Sequence, residues 1–163
     1  MSNVNGWAGE YEVIIVDAHT KEIKDRYEIH NLITYVGENL MRDTLAGTIT
    51  NASIKYVAFG SSDAVPLNTG IQLTNELFRK PILKQRIGNH GELYSYVQTM
   101  PLDGAGQYIG EIGVFAGPDA TGAINSGIMI SHVPFLKRIK TDSEIIQIAR
   151  KDIIRAVTTE EAN

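Results

Sequence analysis

The chain has 163 residues, enough for one domain and too few for two full cores. Apolar residues make up 43% and charged residues 21%, which excludes a disordered chain. A net charge of −4 argues against a general nucleic-acid or anionic-membrane binder, and the absence of cysteine excludes disulfides, a thiol nucleophile and thiolate metal sites. Among the apolar and β-branched residues, 21 Ile, 10 Val and 12 Thr stand against only 10 Leu, a composition that suits pleated strands. Gly and Pro, 15 and 5, supply many turns. No signal peptide and no run of about 18 apolar residues is present, so the expectation is a soluble protein made in the cytoplasm.

Residues 1–9 are polar and Gly/Asn-rich and are expected to form a flexible arm. Trp7 within it is either packed at a strand end or an anchor on a neighbouring subunit. Glu10 to Asp17 is a short, β-branched apolar run and a predicted strand. Glu22 to Asn31 alternates with period 2, which predicts a second strand with one charged face, joined to the first as a hairpin. Thr34 to Ala46 changes to helical spacing at Val36, Leu40 and Leu45. Asn31 or Thr34 is its candidate cap, Glu38 and Arg42 an i, i+4 pair, and Gly47 its stop. Gly37 inside this helix implies close approach to a strand.

Further strands are predicted at Ser53–Phe59, Arg79–Ile87, Leu93–Met100, Gln107–Phe115, Gly127–Val133 and Ser143–Ala149, the last with room to continue to Val157. Leu73–Phe78 reads equally as a short helix or an extended segment. Gly60–Thr69 and Pro101–Gly106 are loops. The predicted fold is mainly β with one helix: a β-sandwich or open barrel, residues 10–157, with the helix packed on one face and a polar tail at 158–163.

No catalytic, cofactor-binding or metal site emerges. His19, His30, His90 and His132 are scattered, and zinc would need ligands from distant segments. His90 falls in a turn, and His132, near a strand end, is expected at the surface or an interface. Asp103-Gly-Ala-Gly-Gln-Tyr-Ile-Gly110 leads into a strand, not a helix, so it lacks the helix terminus of a phosphate loop. The carboxylate pairs Asp17/Glu22 and Asp142/Glu144 are expected to be solvated. Ser61-Ser62-Asp63 has no nucleophile-elbow pattern. The basic cluster Lys137-Arg138-Ile139-Lys140 is expected to be a solvated strand end or a docking patch.

Several segments, in order, carry a resemblance. Tyr56-Val-Ala-Phe-Gly60 opens a Ser/Asp/Pro loop, followed by Leu73-Thr-Asn-Glu-Leu-Phe-Arg-Lys80. Then come Tyr94 to Pro101 and Tyr108-Ile-Gly-Glu-Ile-Gly-Val-Phe-Ala-Gly117, and after them Asn125-Ser-Gly-Ile-Met-Ile-Ser131 and Ile139-Lys-Thr-Asp-Ser-Glu-Ile-Ile-Gln-Ile148. Asn31-Leu-Ile-Thr34 before the helix, and Leu45-Ala-Gly47 at its end, add to the series. Over residues 29–149 this succession resembles the bacteriophage tail-fibre and tail-collar N-terminal family.

The resemblance implies a virion structural protein of a phage tail, not an enzyme. The short remainder after the last strand points to a fibre base, adaptor, or baseplate or neck component, made in the host cytoplasm. It also implies assembly with other tail proteins and with itself, as a homotrimer. Glu76 and Arg79 form a candidate ion pair that locks the Ser/Asp/Pro loop to the sheet, or a surface pair worth under about 1 kcal/mol. Gly110 and Gly113, flanking Glu111, are candidates for close backbone approach or a bulge. The candidate interface residues are Trp7, Lys137, Arg138 and Lys140, with Arg150, Lys151 and Arg155 available for an acidic partner surface. The alternative function is a carbohydrate-binding, host-recognition module, which requires a platform of aromatic faces.

Overall fold

The computed structural model describes residues 6–156. Nine strands and one helix follow in chain order: β1 Gly6–Asp17, β2 Ile23–Leu32, α1 Tyr35–Leu45, β3 Ile54–Gly60, β4 Glu76–Pro81, β5 Lys84–Ile87, β6 Glu92–Gln98, β7 Tyr108–Ala116, β8 Ile128–Ile139 and β9 Glu144–Arg155. They form two antiparallel sheets, one of order β2-β1-β9-β6-β5 and one of order β4-β3-β7-β8. The two sheets pack as a β-sandwich, as the composition and spacing imply.

Alternation decides which side chains enter the core. From the five-stranded sheet, Tyr11, Val13, Ile15, Val97, Ile146 and Ile148 point inward and are buried. Val57, Phe59, Ile112, Val114, Ile130 and Phe135 meet them from the four-stranded sheet. Phe59 stacks on Phe78 at 4.7 Å between ring centroids. The β1–β2 turn is fixed by the Asp17 carboxylate, which accepts the His19 and Thr20 N–H groups at 2.9 and 2.8 Å.

Helix α1 packs against β8. Thr34 is its cap, with Oγ1 accepting the Gly37 N–H. A Cβ on Gly37 would lie 3.1 Å from the Ile130 Cα, so the glycine permits the close helix–strand approach. Gly47, at φ +78°, ends the helix. Arg42 pairs with Asp43 at 2.9 Å, in place of the expected Glu38 partner.

The structure corrects three boundaries. The expected arm begins the sheet: β1 starts at Gly6, and Trp7 packs against the core with its indole N–H donated to Asp152 at 3.0 Å. The run 79–87 is two strands in different sheets, because the chain crosses the sandwich at Ile82–Leu83 just after Pro81. Strand β8 continues to Ile139 through Leu136 and Lys137, both at positive φ, beyond the expected end at Val133. Leu73–Phe78 is extended in its second half, from Glu76. The rest of the expected arm and the expected tail at 158–163 lie outside the described residues.

Candidate functional site

The outer face of the four-stranded sheet is covered by two loops, 61–75 and 117–127. Small residues and a leucine make this possible. Ala58, Leu73, Phe115 and Met129 form a second buried cluster, with Tyr56 at its margin. A Cβ on Gly113 would lie 2.9 Å from Leu73 Cδ2 and 3.0 Å from the Ser131 carbonyl oxygen. Gly110 sits at a register shift between β7 and β8, and a Cβ there would meet the Ser62 carbonyl oxygen at 2.6 Å. Both expectations for these glycines, close approach and a bulge, hold.

Glu111, between them, is buried and holds the first loop. Its carboxylate accepts the Ser62, Thr74 and Asn75 N–H groups at 3.1, 2.8 and 2.9 Å. His132 Nε2 lies 2.8 Å from Glu111 Oε1, and its side chain is only 6% exposed. The expected surface histidine is therefore a buried partner of Glu111. The loop is also tied by Ser61 N–H to the Asn75 carbonyl, by Tyr108 Oη to Asp63, and by Tyr35 N–H to the Asn68 carbonyl.

The second loop is held by Glu76 and Arg79. Their side chains are 0% and 2% exposed and meet through two hydrogen bonds of 2.7 and 2.8 Å. Arg79 also donates to the Thr121 and Ser126 carbonyls, and its guanidinium lies 4.4 Å from the Phe115 ring centroid. Asn125 N–H donates to Glu76 at 3.2 Å. The pair is buried, so the surface-pair reading fails, but the loop it holds is 117–127 and not the expected Ser/Asp/Pro loop after Gly60. All five motif residues, Glu76, Arg79, Gly110, Glu111 and Gly113, thus gather on one face.

This bracing leaves an apolar edge in water. In the first loop Val65, Leu67 and Ile71 are 82%, 66% and 64% exposed. They cannot turn inward without breaking the ties to Glu111, Tyr35 and Tyr108.

The basic interface candidates fare differently. Arg150 lies fully buried between the sheets, donating to Asp152 at 3.0 Å, Asn31 at 2.8 Å and Ser131 at 3.0 Å, with its guanidinium 4.7 Å from the Tyr11 ring centroid. Burial works to lower its pKa, but Asp152 and Tyr11 outweigh burial, so the net shift is upward. Arg150 is no docking residue. Its partner Asp152 stands two positions on, on the same strand face.

Lys140 is also buried, its ammonium ringed by the carbonyls of Met100, Pro101, Thr141 and Glu144 at 3.0–3.3 Å, and burial lowers its pKa. Glu144, expected in solvent, is buried and paired with Arg138 at 2.8 and 3.0 Å. Burial alone would raise its pKa, but Arg138 and the Thr141 N–H bring it below the ordinary range. Lys151 and Arg155 approach Glu92 at 3.7 and 3.4 Å, so both have an intramolecular partner. Lys137 alone of these basic candidates is exposed and forms no ion pair among the described residues.

Two surfaces remain open. An apolar groove of about 400 Å³ runs between α1 and the inner side of the five-stranded sheet, lined by Trp7, Leu40, Ile87, Leu93, Ile130 and Ile154. On the opposite, outer face of that sheet Tyr94 and Tyr96 lie side by side, with centroids 6.4 Å apart and planes 14° from parallel. Arg86 and Lys84 lie over these rings at 4.2 and 5.1 Å. Among the described residues no group of three or more His, Asp or Glu side chains is arranged to hold a metal ion.

Compared with protein-family models, curated proteins and solved structures, the chain matches none of them.

Proposed function

We propose that this chain is a non-enzymatic structural component of a phage tail: a fibre base, adaptor, or baseplate or neck attachment protein that assembles with tail proteins and as a homotrimer. The observation that carries the reading is the use made of the motif residues. Glu76, Arg79 and Glu111 are spent on backbone groups of two loops, and the glycines make room for those loops. Their product is a stiff surface with protruding apolar side chains, which suits permanent assembly because little conformational freedom is left to lose on docking. The sheet edges β2, β5 and β4 offer further places for a neighbour.

Mass spectrometry of tails purified from particles encoding this chain tests the reading. Several copies per tail are expected. Absence from purified tails, with the gene among housekeeping neighbours, would refute it. The paired Tyr94 and Tyr96 favour a second reading, saccharide binding on the outer sheet face. The Arg86 and Lys84 head groups already occupy the rings, so it takes second place. Strong retention of the isolated domain on a glycan array would reverse that order.

A further inference from the structure

We propose that Val65, Leu67 and Ile71 of one copy insert into the groove lined by Trp7, Leu40, Ile87 and Ile154 of a second copy. The inference rests on the self-assembly part of the proposed function and names the surfaces that would carry it.

The first argument is chemical match. Residues 64–72 (Ala-Val-Pro-Leu-Asn-Thr-Gly-Ile-Gln) contain no charged side chain. The groove has a matching character. Its floor is apolar, its polar lining includes Gln85 and Asn89, and its two acids are already partnered. Asp152 is held by Arg150 and Trp7, and Glu92 by Lys151 and Arg155. A charged peptide would therefore find no free counter-charge among these groups, whereas an uncharged aliphatic segment needs none. The volume, about 400 Å³, lies within the roughly 300–1,000 Å³ of sites that enclose a compact apolar group.

The second argument is exposure. Ile87 and Ile154 on the groove are 84% and 48% exposed, and the three loop residues are at least 64% exposed. Seating the loop in the groove would take apolar area on both surfaces out of water.

The third argument is placement. The loop lies over the outer face of the four-stranded sheet, tied there by Glu111, whereas the groove is lined by inward-facing residues of the five-stranded sheet and by α1. A chain cannot fill its own groove with this loop, so a loop seated there comes from another copy. Each copy then offers one loop and one groove. Such a head-to-tail contact closes into a ring when the rotation allows, and a trimer is one such ring.

Light scattering and analytical ultracentrifugation of the full chain test the contact with two variants, Leu67→Glu on the loop and Ile87→Glu on the groove. Both positions are exposed, so circular dichroism and thermal midpoint should match the parent. Each variant alone should raise the dissociation constant for self-association at least about 30-fold, the effect of removing one hot spot. Mixing the two should restore one intact loop–groove pair and yield a heterodimer that grows no further. If both variants assemble like the parent, a different face joins the copies: the inference is wrong and self-assembly stands. If the parent stays monomeric up to about 1 mM, a concentration that would reveal even weak association, both fail. If it assembles only after residues 1–5 and 157–163 are deleted, the chain's own ends fill the groove, which also overturns the inference.

Discussion

Replacing Arg79 with Met keeps much of the side-chain volume over Phe115 and removes the guanidinium. Glu76 is then left in a buried site with the Asn125 N–H at 3.2 Å as its remaining partner, and the Thr121 and Ser126 carbonyls lose a donor. Removing one member of a buried ion pair costs about 3–5 kcal/mol, because the survivor keeps its desolvation penalty without its partner. Against a domain stability of roughly 5–15 kcal/mol this is a large fraction. In urea, with a slope of about 2 kcal/mol/M, the midpoint should fall by about 2 M. The double variant Glu76→Gln/Arg79→Met should lose less than the sum of the singles, by about 1–3 kcal/mol, since no charge is stranded. Hydrogen exchange should accelerate first in residues 117–127, the loop that Arg79 holds. A midpoint shift below about 0.5 M for Arg79→Met would refute the reasoning, since that is the scale of an exposed pair.

Gly9→Ala should cost about 3 kcal/mol in thermal or chemical unfolding, because the new methyl would overlap the guanidinium of Arg150, which is fully buried and has nowhere to move. Gly122→Ala, which meets open space, should change stability by under about 0.5 kcal/mol and serves as the control. Tyr27 supplies a pH test. Burial pushes its phenol from the ordinary 10.0 up to about 12, so the folded chain holds that proton more tightly than the unfolded chain. The contribution is complete below pH 10 and is lost as pH rises from 10 to 12; two pKa units set a ceiling of about 2.7 kcal/mol, which solvent screening of a partly open phenol reduces. Urea titrations across that range should show a smaller alkaline loss for Tyr27→Phe; an identical loss would mean that other groups govern it.

Strands were legible where apolar alternation was strong. Val13, Ile15, Ile146 and Ile148 declare their face without help, and Thr34, Gly37 and Gly47 mark the helix by cap, packing and stop. The start of β1 was hidden because Gly6, Ala8 and Gly9 have low strand preference. The missing side chain of Gly9 answers to Arg150, more than 140 positions away, and no local pattern reveals that. The break between β4 and β5 was hidden for a related reason: Pro81-Ile82-Leu83 looks apolar and extended whether or not the chain changes sheet. Buried charge was the hardest to see. Arg150, Lys140 and Glu144 read locally as solvated groups, and only the tertiary fold supplies the carbonyls and counter-charges that let them enter the interior. Glu76 and Arg79, three positions apart, were visible as a pair, but the loop they hold comes from 40 residues further along.

The pairing of Gly6 with Arg155 has a mechanical consequence. The two described ends of the chain leave side by side from one end of the antiparallel β1–β9 ladder. A force pulling those ends apart would meet its twelve cross-strand pairs one at a time, like the teeth of a zip, and the ladder would yield at low load. A force between one end and the Glu111-braced loop runs across the sandwich and does not peel this ladder from its tip. Under tension the resilient attachment is therefore one that transmits load through a single described end and the loop face. A design that loads both ends at once would place the stress on this peeling geometry.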